Sequence, residues 1–529
     1  MGARENGTTS GLPAEGPRDR TAELAVIRQR AVDGLNAEAE ARQHRLGKLT
    51  ARERIDRLLD PGTFRELEML RRHRATDFGI GDRRPYTDGV ITGWGAIDGR
   101  KVFVYAHDFG IFGGSLGEAH AAKIHKVMDL AESSGVPLIG LNDGAGARIQ
   151  EGVLALAGYG GIFRRNVQAS GVIPQISVML GPCAGGAAYS PALTDFVLMV
   201  RETASMYVTG PDVIKAVTGE EIDFEGLGGA DVHARSGQAT FVHDDEDDAL
   251  GTLRYLLSFL PANNREFPPE GPVDDPVDRP CDALLDIVPH SPNQPYDVRQ
   301  VIEEIVDHGE FLELQQAWAG NIVIGLARIG GHVVGLVANQ PMVLAGVLDI
   351  EASQKAARFI RFCDCFNIPL VTLVDVPGFL PGVDQEHHAI IRNGAKLLYA
   401  YCEATVPRIQ VLMRKAYGGA YIVMDSRSIG TDLSFAWPSN EVAVMGAEAA
   451  TNVIHRRTIL AAENPQDTRR VLIEEYQRTL MHPYYGAERG LVDDVIDPRD
   501  TRSAIHAGLE MLRSKRVSLP QRKHGNSPL

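Results

Sequence analysis

The sequence predicts an α/β protein in which one arrangement of elements occurs twice. Helix-like and strand-like segments alternate, which is typical of a largely parallel sheet with helical crossovers. In addition, two distant stretches, GPCAGGAAYS at 181–190 and RKAYGGAYIV at 414–423, each follow a strand-like apolar run and place two adjacent glycines at its end. An internal duplication accounts for both observations.

The two halves align at a nearly constant spacing. GVPLIGLNDGAGARIQEG, from Gly135, resembles NIPLVTLVDVPGFLPGVDQE, from Asn367, and Asp143 then matches Asp375 at a spacing of 232. VIPQISVMLGPCAGGAAY resembles VPRIQVLMRKAYGGAY, so Gly185 matches Gly418 at a spacing of 233. One inserted residue reconciles the spacings. Each half therefore predicts a helix, a buried strand, a glycine-containing turn, a second helix, a second strand and a Gly-Gly turn.

A helix is predicted ahead of the first buried strand in each half, because apolar residues recur at i, i+3, i+4 and i+7. The predicted buried faces are Ile124, Val127, Met128 and Ala131 in the first half, and Ala356, Phe359, Ile360 and Cys363 in the second. A further helix is predicted to begin after Thr50, whose spacing to Glu53 is that of a capping box, and to end before Pro61.

The chain is long enough for two domains, because 529 residues exceed the size at which one hydrophobic core stops growing. Residues 261–295 hold nine prolines in 35 positions and predict a linker or an extended surface segment. We therefore predict a disordered leader at 1–20, an N-terminal domain at 21–275 and a C-terminal domain at 276–529.

Charge and hydropathy exclude several classes of function. A formal net charge of -15 argues against bulk binding of nucleic acid or anionic membrane. No run approaches about eighteen apolar residues, and the first residues lack the apolar core of a signal peptide, so we expect a cytoplasmic protein. The acidic run at 244–248 precedes a helix-like segment and predicts a solvated helix N-terminus rather than a metal site.

The cysteines predict no disulfide framework and no zinc site, because no C-x-x-C pair occurs among them. Small buried side chains are the expected role for all five, Cys183, Cys281, Cys363, Cys365 and Cys402.

The paired glycines have two interpretations. Backbone N–H groups in the first turn of a helix lack intrahelical partners, and glycine lets a ligand oxygen approach them closely. An oxygen that becomes negative during a reaction is the ligand that such donors stabilise best. The alternative is a tight strand-to-helix turn with a purely structural role. A duplication preserves either, so the pattern alone leaves both open.

Ten motifs in chain order resemble the carboxyltransferase (beta) subunits of biotin-dependent acyl-CoA carboxylases, especially the propionyl-CoA carboxylase type. The resemblance runs from about residue 21 to the C-terminus. The motifs are KLTARERIDRLLDPGTF, RPYTDGVITGWG, DFGIFGGSLGE, NDGAGARIQEG, GPCAGGAAYSPALTDF, YVTGPDVIKAVTGE, ANQPMVLAGVLDI, VDVPGFLPGVDQE, ATVPRIQVLMRKAYGGAYIVM and HRRTI.

The resemblance implies two tandem crotonase-like (ClpP/crotonase) domains. It implies transfer of CO2 from carboxybiotin to the alpha carbon of a short- to medium-chain acyl-CoA, with the thioester bound by the first half and carboxybiotin by the second. It also implies that biotin is carried by a separate biotinylated alpha subunit, that the chain forms a hexamer, and that it holds no metal. The sequence has neither a P-loop nor a biotinyl-lysine motif of the A-M-K-M type, in agreement with this division of labour.

The resemblance also assigns site residues. It places the thioester oxygen at the amides of Gly185 and Gly186, and the ureido oxygen of biotin at those of Gly419 and Ala420. The expected surroundings are Gly418 for biotin, and Ala184, Tyr189 and Ile422 for the acyl group. Such enzymes need no side-chain base. We accordingly expect surface or packing roles for the histidines, which show no ligand or dyad spacing: His107, His120, His125, His387 and His388.

Ile422 departs from the pattern, since propionyl-preferring relatives usually carry Asp after GGAY. An apolar side chain beside methylene groups avoids the cost of desolvating a carboxylate, which predicts use of acetyl-, butyryl- or longer acyl-CoA besides propionyl-CoA. The alternatives are a strict propionyl-CoA carboxylase subunit and a decarboxylase or transcarboxylase component. From other classes, GGSLG at 113–117 matches the nucleophile elbow of a serine hydrolase with Ser115, and a non-catalytic scaffold is also open.

Overall fold

The structure, a computed structural model, describes residues 16–34 and 37–528. Most of the predicted leader lies outside the described residues. The first helix begins at Pro17, so residues 17–20, which we predicted as leader, form its first turn. Proline is favoured at this position because its missing N–H would have no helical partner there.

Within the described residues, the first half forms a sheet of eight strands. Their bounds are β1 (Arg65–Leu67), β2 (Val90–Ile97), β3 (Arg100–His107), β4 (Leu138–Gly144), β5 (Gln175–Ala184), β6 (Phe196–Val200), β7 (Ser205–Tyr207) and β8 (Phe241–His243). The order is β1-β2-β3-β4-β5-β6-β8, and β7 pairs with the end of β5. The pairs β1/β2 and β2/β3 are antiparallel, and the remaining pairs are parallel.

The second half repeats this sheet, again counted over the described residues. Its strands are β9 (Phe311–Leu314), β10 (Ile322–Ile329), β11 (His332–Asn339), β12 (Leu370–Val376), β13 (Arg408–Tyr417), β14 (Leu433–Ala436), β15 (Glu441–Ala443) and β16 (Asp494–Val495). The order is β9-β10-β11-β12-β13-β14-β16, and β15 pairs with the end of β13. The predicted duplication and the α/β fold are confirmed strand by strand.

Helices follow the strands and cover the sheets. In the first half they are α1 (Pro17–Val32), α2 (Ala37–Arg45), α3 (Ala51–Leu58), α4 (Glu118–Ser134), α5 (Val153–Ala169), α6 (Gly186–Ala192), α7 (Pro211–Thr218), α8 (Phe224–Gly228), α9 (Ala230–Arg235) and α10 (Glu246–Leu257). The remainder are α11 (Leu284–Ile287), α12 (Val298–Ile305), α13 (Ile350–Cys365), α14 (Val383–His387), α15 (Ile390–Glu403), α16 (Gly418–Val423), α17 (Ala447–Ile454), α18 (Arg456–Ala461), α19 (Pro465–Tyr476), α20 (Pro483–Ala487) and α21 (Thr501–Leu512). Among the helices of the described residues, none has the length and apolar character needed to cross a bilayer.

The predicted helix faces are confirmed. All four predicted residues of α4 and all four of α13 are buried. α3 begins with the predicted capping box, since the Thr50 side chain accepts from the Glu53 N–H while the Glu53 carboxylate accepts from the Thr50 N–H. One hydrophobic core cluster joins the halves, and the Phe196 and Phe362 rings meet edge to face across them, 4.7 Å between centroids.

Two expectations differ from the structure. Asp245 caps α10 as the acidic run predicts, yet Glu246 is buried and bonds to Arg54 rather than to solvent. The cause is a partner 192 residues away, which local charge patterning does not reveal. All five cysteines are free, but Cys365 and Cys402 are exposed, whereas the other three are buried as expected.

Candidate functional site

Each half ends its central parallel strand in a glycine turn that starts a short helix. β5 ends at Ala184, Gly185 turns the chain and α6 begins at Gly186. β13 ends at Tyr417 and α16 begins at Gly418. Gly185 has φ of 57° and Gly418 has φ of 60°, a left-handed conformation that a residue with a side chain adopts at a cost. The strand-to-helix turn therefore requires the first glycine of each pair.

The second glycine and the alanine after it carry the free donors. Among the described residues, no acceptor contacts the N–H groups of Gly186 and Ala187, the first two residues of α6. The N–H groups of Gly419 and Ala420, which match them at the spacing of 233, likewise have no acceptor within the described part of the chain. Each half thus presents two neighbouring donors at the carboxyl end of its sheet.

Gly185 has a different role from the one that the resemblance implies. Its N–H donates to the Tyr207 carbonyl oxygen at 2.9 Å, because β7 pairs with the end of β5. An N–H already bonded inside the protein is not free to hold a ligand oxygen. We therefore revise the donor pair of the first half from Gly185 and Gly186 to Gly186 and Ala187. The duplication supports the same revision, since Ala187 matches Ala420.

The glycines differ in why they lack a side chain. A Cβ on Gly186 would lie 2.9 Å from the Tyr159 ring, so packing excludes one. A Cβ on Gly418 would lie 3.0 Å from the Val444 carbonyl oxygen. A Cβ on Gly419 would meet no protein atom within 4 Å, and Gly419 is not left-handed. Neither packing nor conformation within the described chain requires glycine there, which is the pattern expected where a ligand approaches the backbone.

The residues predicted to surround the acyl group lie beside the turns. Tyr189 and Ile422 are equivalent positions on α6 and α16, and they are 52% and 42% exposed. The Tyr189 ring packs edge-on against Phe163, with 6.2 Å between centroids. Ala184, half-buried, is the last residue of β5, and its carbonyl oxygen would lie 3.0 Å from a Cβ placed on Gly146. The loop that follows β4 thus packs closely against the first turn.

Buried aspartates fix the strand ends below the turns. Asp143 is fully buried in β4 and accepts from Lys48 Nζ at 2.7 Å and from Arg54 at 2.9 Å. Asp375, its equivalent in β12, pairs with Arg414 at 2.9 Å and accepts from the Lys415 N–H at 3.0 Å. Charges held this way by more than one partner order the surrounding backbone.

Lys48 and the histidines show what burial does to the ionisable groups here. Burial lowers the pKa of Lys48, opposed by Asp143. Burial also lowers the pKa of His107 to about 4, and it lowers that of His120 well below its usual value. The two imidazoles pack edge to face, 5.1 Å between centroids, and are neutral at ordinary pH. Their role is packing, as the sequence led us to expect.

Ser115 lacks the surroundings of a nucleophile. Its hydroxyl donates to the Phe112 carbonyl oxygen at 2.7 Å, and Arg148 Nε donates to it at 3.4 Å. Within the described chain, neither an imidazole nor a carboxylate accepts from this hydroxyl. A nucleophile needs a base in hydrogen-bond reach. The geometry therefore opposes the serine hydrolase alternative.

Two neighbouring arginines on α5, Arg164 and Arg165, have the charge that a binder of phosphate groups needs. Arg165 is engaged with Asp129 at 2.6 Å. Arg164 is exposed and has no ion-pair partner among the described residues.

The carboxyl transferase domain family matches residues 42–527, and the chain belongs to that family. It is 58% identical to the propionyl-CoA carboxylase, carboxyltransferase subunit of Haloferax mediterranei, over 97% of this chain and 99% of the other. It is 52% identical to the methylmalonyl-CoA decarboxylase subunit alpha of Propionigenium modestum, over 92% and 95% of the two chains.

Comparison with solved structures supports the same family. The chain matches the hexameric transcarboxylase 12S core, solved with methylmalonyl-coenzyme A and methylmalonic acid bound, with a TM-score of 0.95 and 51% identity over 98% of this chain and 99% of that one. The resemblance to biotin-dependent carboxyltransferase subunits and the pair of crotonase-like domains are confirmed. The protein is a carboxyltransferase enzyme.

Proposed function

We propose that this carboxyltransferase moves CO2 from carboxybiotin to the alpha carbon of a short- to medium-chain acyl-CoA. The observation that carries the proposal is the duplicated pair of unpartnered donors, Gly186 with Ala187 and Gly419 with Ala420, at equivalent ends of the two sheets. Two pairs of donors suit a reaction in which two different carbonyl oxygens gain negative charge. The names of the related carboxylase and decarboxylase subunits support a CoA thioester as substrate.

The first pair holds the thioester oxygen of the acyl-CoA. Removal of the alpha proton turns this carbonyl into an enolate, so negative charge grows on the oxygen as the transition state forms. Fixed N–H dipoles aimed at that oxygen stabilise the transition state more than the ground state and need no reorganisation. Gly185 supports the pair by turning the chain, with its own N–H tied to Tyr207.

The second pair suits the ureido oxygen of biotin. This oxygen is a hydrogen-bond acceptor, and the open space around Gly419 lets a planar ring approach the Gly419 and Ala420 N–H groups. When bound, carboxybiotin supplies the carboxyl group that is transferred. The left-handed Gly418 fixes the direction in which the two donors point.

The chain supplies dipoles rather than a side-chain base. His107 and His120 are buried and neutral, and they bond or pack within the protein. Ser115 is engaged with Phe112 and Arg148. In this proposal, proton removal falls to the bound reactants.

The apolar side chain of Ile422 favours a broad range of acyl-CoA substrates. It is an exposed apolar residue two positions after Ala420, on the helix that carries the second donor pair. A carboxylate at this position would have to be desolvated beside methylene groups, whereas isoleucine gains from the contact. We propose activity on acetyl- and butyryl-CoA besides propionyl-CoA. Strict propionyl-CoA use is the alternative.

Assembly with other chains completes the site in this proposal. Exposed apolar side chains follow the fourth strand of each half: Ile149 and Val153 in the first half, and Val383 and Ile391 in the second. Clustered exposed apolar residues mark interaction surfaces. We propose a homohexamer that pairs the first half (21–275) of one chain with the second half (276–529) of another, served by a biotinylated alpha subunit in the cytoplasm.

Reconstitution tests the function. The chain is combined with a biotinylated alpha subunit, ATP and bicarbonate, and carboxylation of acetyl-, propionyl-, butyryl- and hexanoyl-CoA is measured. We expect carboxylated products from propionyl-CoA and at least one other thioester. Carboxylation of propionyl-CoA alone defeats the broad substrate range. Decarboxylation of methylmalonyl-CoA without ATP-driven carboxylation identifies a decarboxylase component instead, and no reaction in either direction contradicts the proposed function.

A further inference from the structure

Three side chains of the types that can ligate a metal ion lie close together in the second half, far from the glycine turns. His332 is the first residue of β11, and His506 and Glu510 lie on α21. His332 Nε2 contacts the Glu510 carboxylate, and the His332 and His506 rings are 5.8 Å apart between centroids. One ligand atom from each of the three residues lies within 4.8 Å of the other two.

This cluster, His332/His506/Glu510, lies at the amino ends of the parallel strands, whereas the proposed reaction takes place at their carboxyl ends. β11, β12 and β13 are parallel, and the glycine turn follows the carboxyl end of β13. His332 begins β11 at the amino end. An eight-residue strand spans roughly 25 Å. The cluster is therefore separate from the carboxyltransferase site.

The donor set and its spacing suit a zinc-like divalent cation. Two imidazoles and one carboxylate are ligands that such ions take, and three protein ligands leave a fourth position for water. His506 and Glu510 are one helical turn apart and share a face of α21. Two ligands of a tetrahedral zinc ion lie about 3.3 Å apart, since each is about 2.0 Å from the metal. The three ligand atoms lie within 4.8 Å of one another, so side-chain rotation would bring them to that spacing around one ion.

The turn at Gly330 and Gly331 accommodates the His506 ring and is held by hydrogen bonds. A Cβ on Gly330 would lie 2.3 Å from His506 Cδ2, so the left-handed glycine leaves room for the imidazole. The Asp307 carboxylate accepts from the Gly330 and Gly331 N–H groups, both at 2.8 Å, and from Arg502 at 2.6 Å. The turn that presents His332 is thereby fixed to the helix that carries His506.

The ring of His506 packs against His332, and its nitrogens have no hydrogen-bond partner in the part of the chain that the structure describes. A neighbouring cavity of about 300 Å³ is lined in part by His332, Leu509 and Arg513. It gives solvent, and hence a water ligand, access to this side of the cluster.

We propose that His332, His506 and Glu510 bind one zinc-like divalent cation, which fastens α21 to the hairpin formed by β10 and β11. The proposal does not depend on the carboxyltransferase reaction. It revises our expectation, drawn from the sequence, that the chain holds no metal. Sequence spacing does not reveal such a site, because its first ligand lies 174 positions before its second.

Metal content tests the proposal. The full-length chain is treated with a chelator, dialysed, and titrated with Zn²⁺, and bound zinc is counted per chain. Co²⁺ is then substituted to read the ligand geometry by its visible absorption. We expect about one zinc ion per chain in the wild type. We also expect that His506→Ala and Glu510→Gln lose it, and that zinc raises the unfolding temperature of the wild type but not of these variants.

The other group of ligand-type residues in the described chain provides the matched control. Glu40, His44 and Glu53 also approach one another, but His44 and Glu40 are exposed. His44→Ala should keep the zinc ion. Glu510→Gln preserves the size of the side chain and removes only its charge. It is therefore the variant that tests the proposal if His506→Ala fails to fold. Equal zinc content in the wild type and Glu510→Gln, loss of zinc in His44→Ala, or no zinc bound by the wild type at micromolar concentration overturns the proposal.

Discussion

Gly186 and Gly419 occupy the same position in the two halves, yet only one of them is a glycine for reasons of packing. A Cβ on Gly186 would press against Tyr159, whereas a Cβ on Gly419 would enter open space. The duplication preserved both glycines, but the fold needs a bare backbone only at the first. We propose that the second is a glycine because a ligand comes close to the backbone at α16.

Gly419→Ala should separate function from folding. The added methyl group meets no protein atom, so we expect no loss of thermal stability. It would stand where we propose that the ligand of the Gly419 and Ala420 donors approaches, and we expect a loss of carboxyl transfer of about 100-fold, the scale of losing one oxyanion donor. Steady-state transfer rates and thermal unfolding of the same preparation measure both effects.

Gly251→Ala is the matched control. Gly251 lies inside α10, and a Cβ there also meets no atom within 4 Å. Alanine is favoured over glycine inside a helix by about 1 kcal/mol, so this variant should keep full activity and gain stability. Full activity of Gly419→Ala would contradict the ligand role and would favour a non-catalytic turn.

Ile422→Asp should narrow the range of acyl chains. A carboxylate would lose the proposed contact with acyl methylene groups, each worth about 0.8 kcal/mol or about a fourfold change in rate. We expect the ratio of butyryl-CoA to propionyl-CoA carboxylation to fall by about that factor. Ile422→Leu conserves volume and polarity and should keep the original ratio. An unchanged ratio in Ile422→Asp would show that other residues set chain length.

Asp143→Asn should destabilise the first half. The carboxylate is fully buried and pairs with Lys48 and Arg54, so an amide leaves buried Lys48 without its anionic partner and leaves Arg54 with Glu246 alone. Breaking such a pair costs about 3–5 kcal/mol of unfolding free energy, measurable by urea denaturation. Asp247→Asn removes the partner of exposed Arg57 and should have little effect. Equal stability of the two variants would contradict the role given to Asp143.

His107 should make stability depend on pH. Its pKa in the folded chain is about 4, below the usual value of 6.5, because burial disfavours the charged form. The unfolded chain therefore binds more protons between pH 6.5 and 4, and stability is lost as the pH falls through this window. The slope from one such group is at most about 1.4 kcal/mol per pH unit. His107→Gln should flatten unfolding free energy against pH, whereas His388→Ala, an exposed histidine, should not.

The sequence predicted what depends on local periodicity. The buried faces of α4 and α13, the capping box at Thr50 and both glycine turns follow from spacing alone, because helices and strands bury residues at fixed intervals. The features that the sequence did not predict depend on contacts between residues that are distant in the chain. The Gly185 N–H bonds to Tyr207, Glu246 bonds to Arg54, and His332 meets His506. No local pattern encodes these pairs.

A structure of the assembled enzyme with a non-reactive acyl-CoA analogue tests most directly whether the Gly186 and Ala187 N–H groups hold the thioester oxygen. We predict that the thioester oxygen accepts from both N–H groups, at about 2.7–3.1 Å from each nitrogen. A thioester oxygen bound by side chains instead, with these two N–H groups facing solvent, would contradict the account.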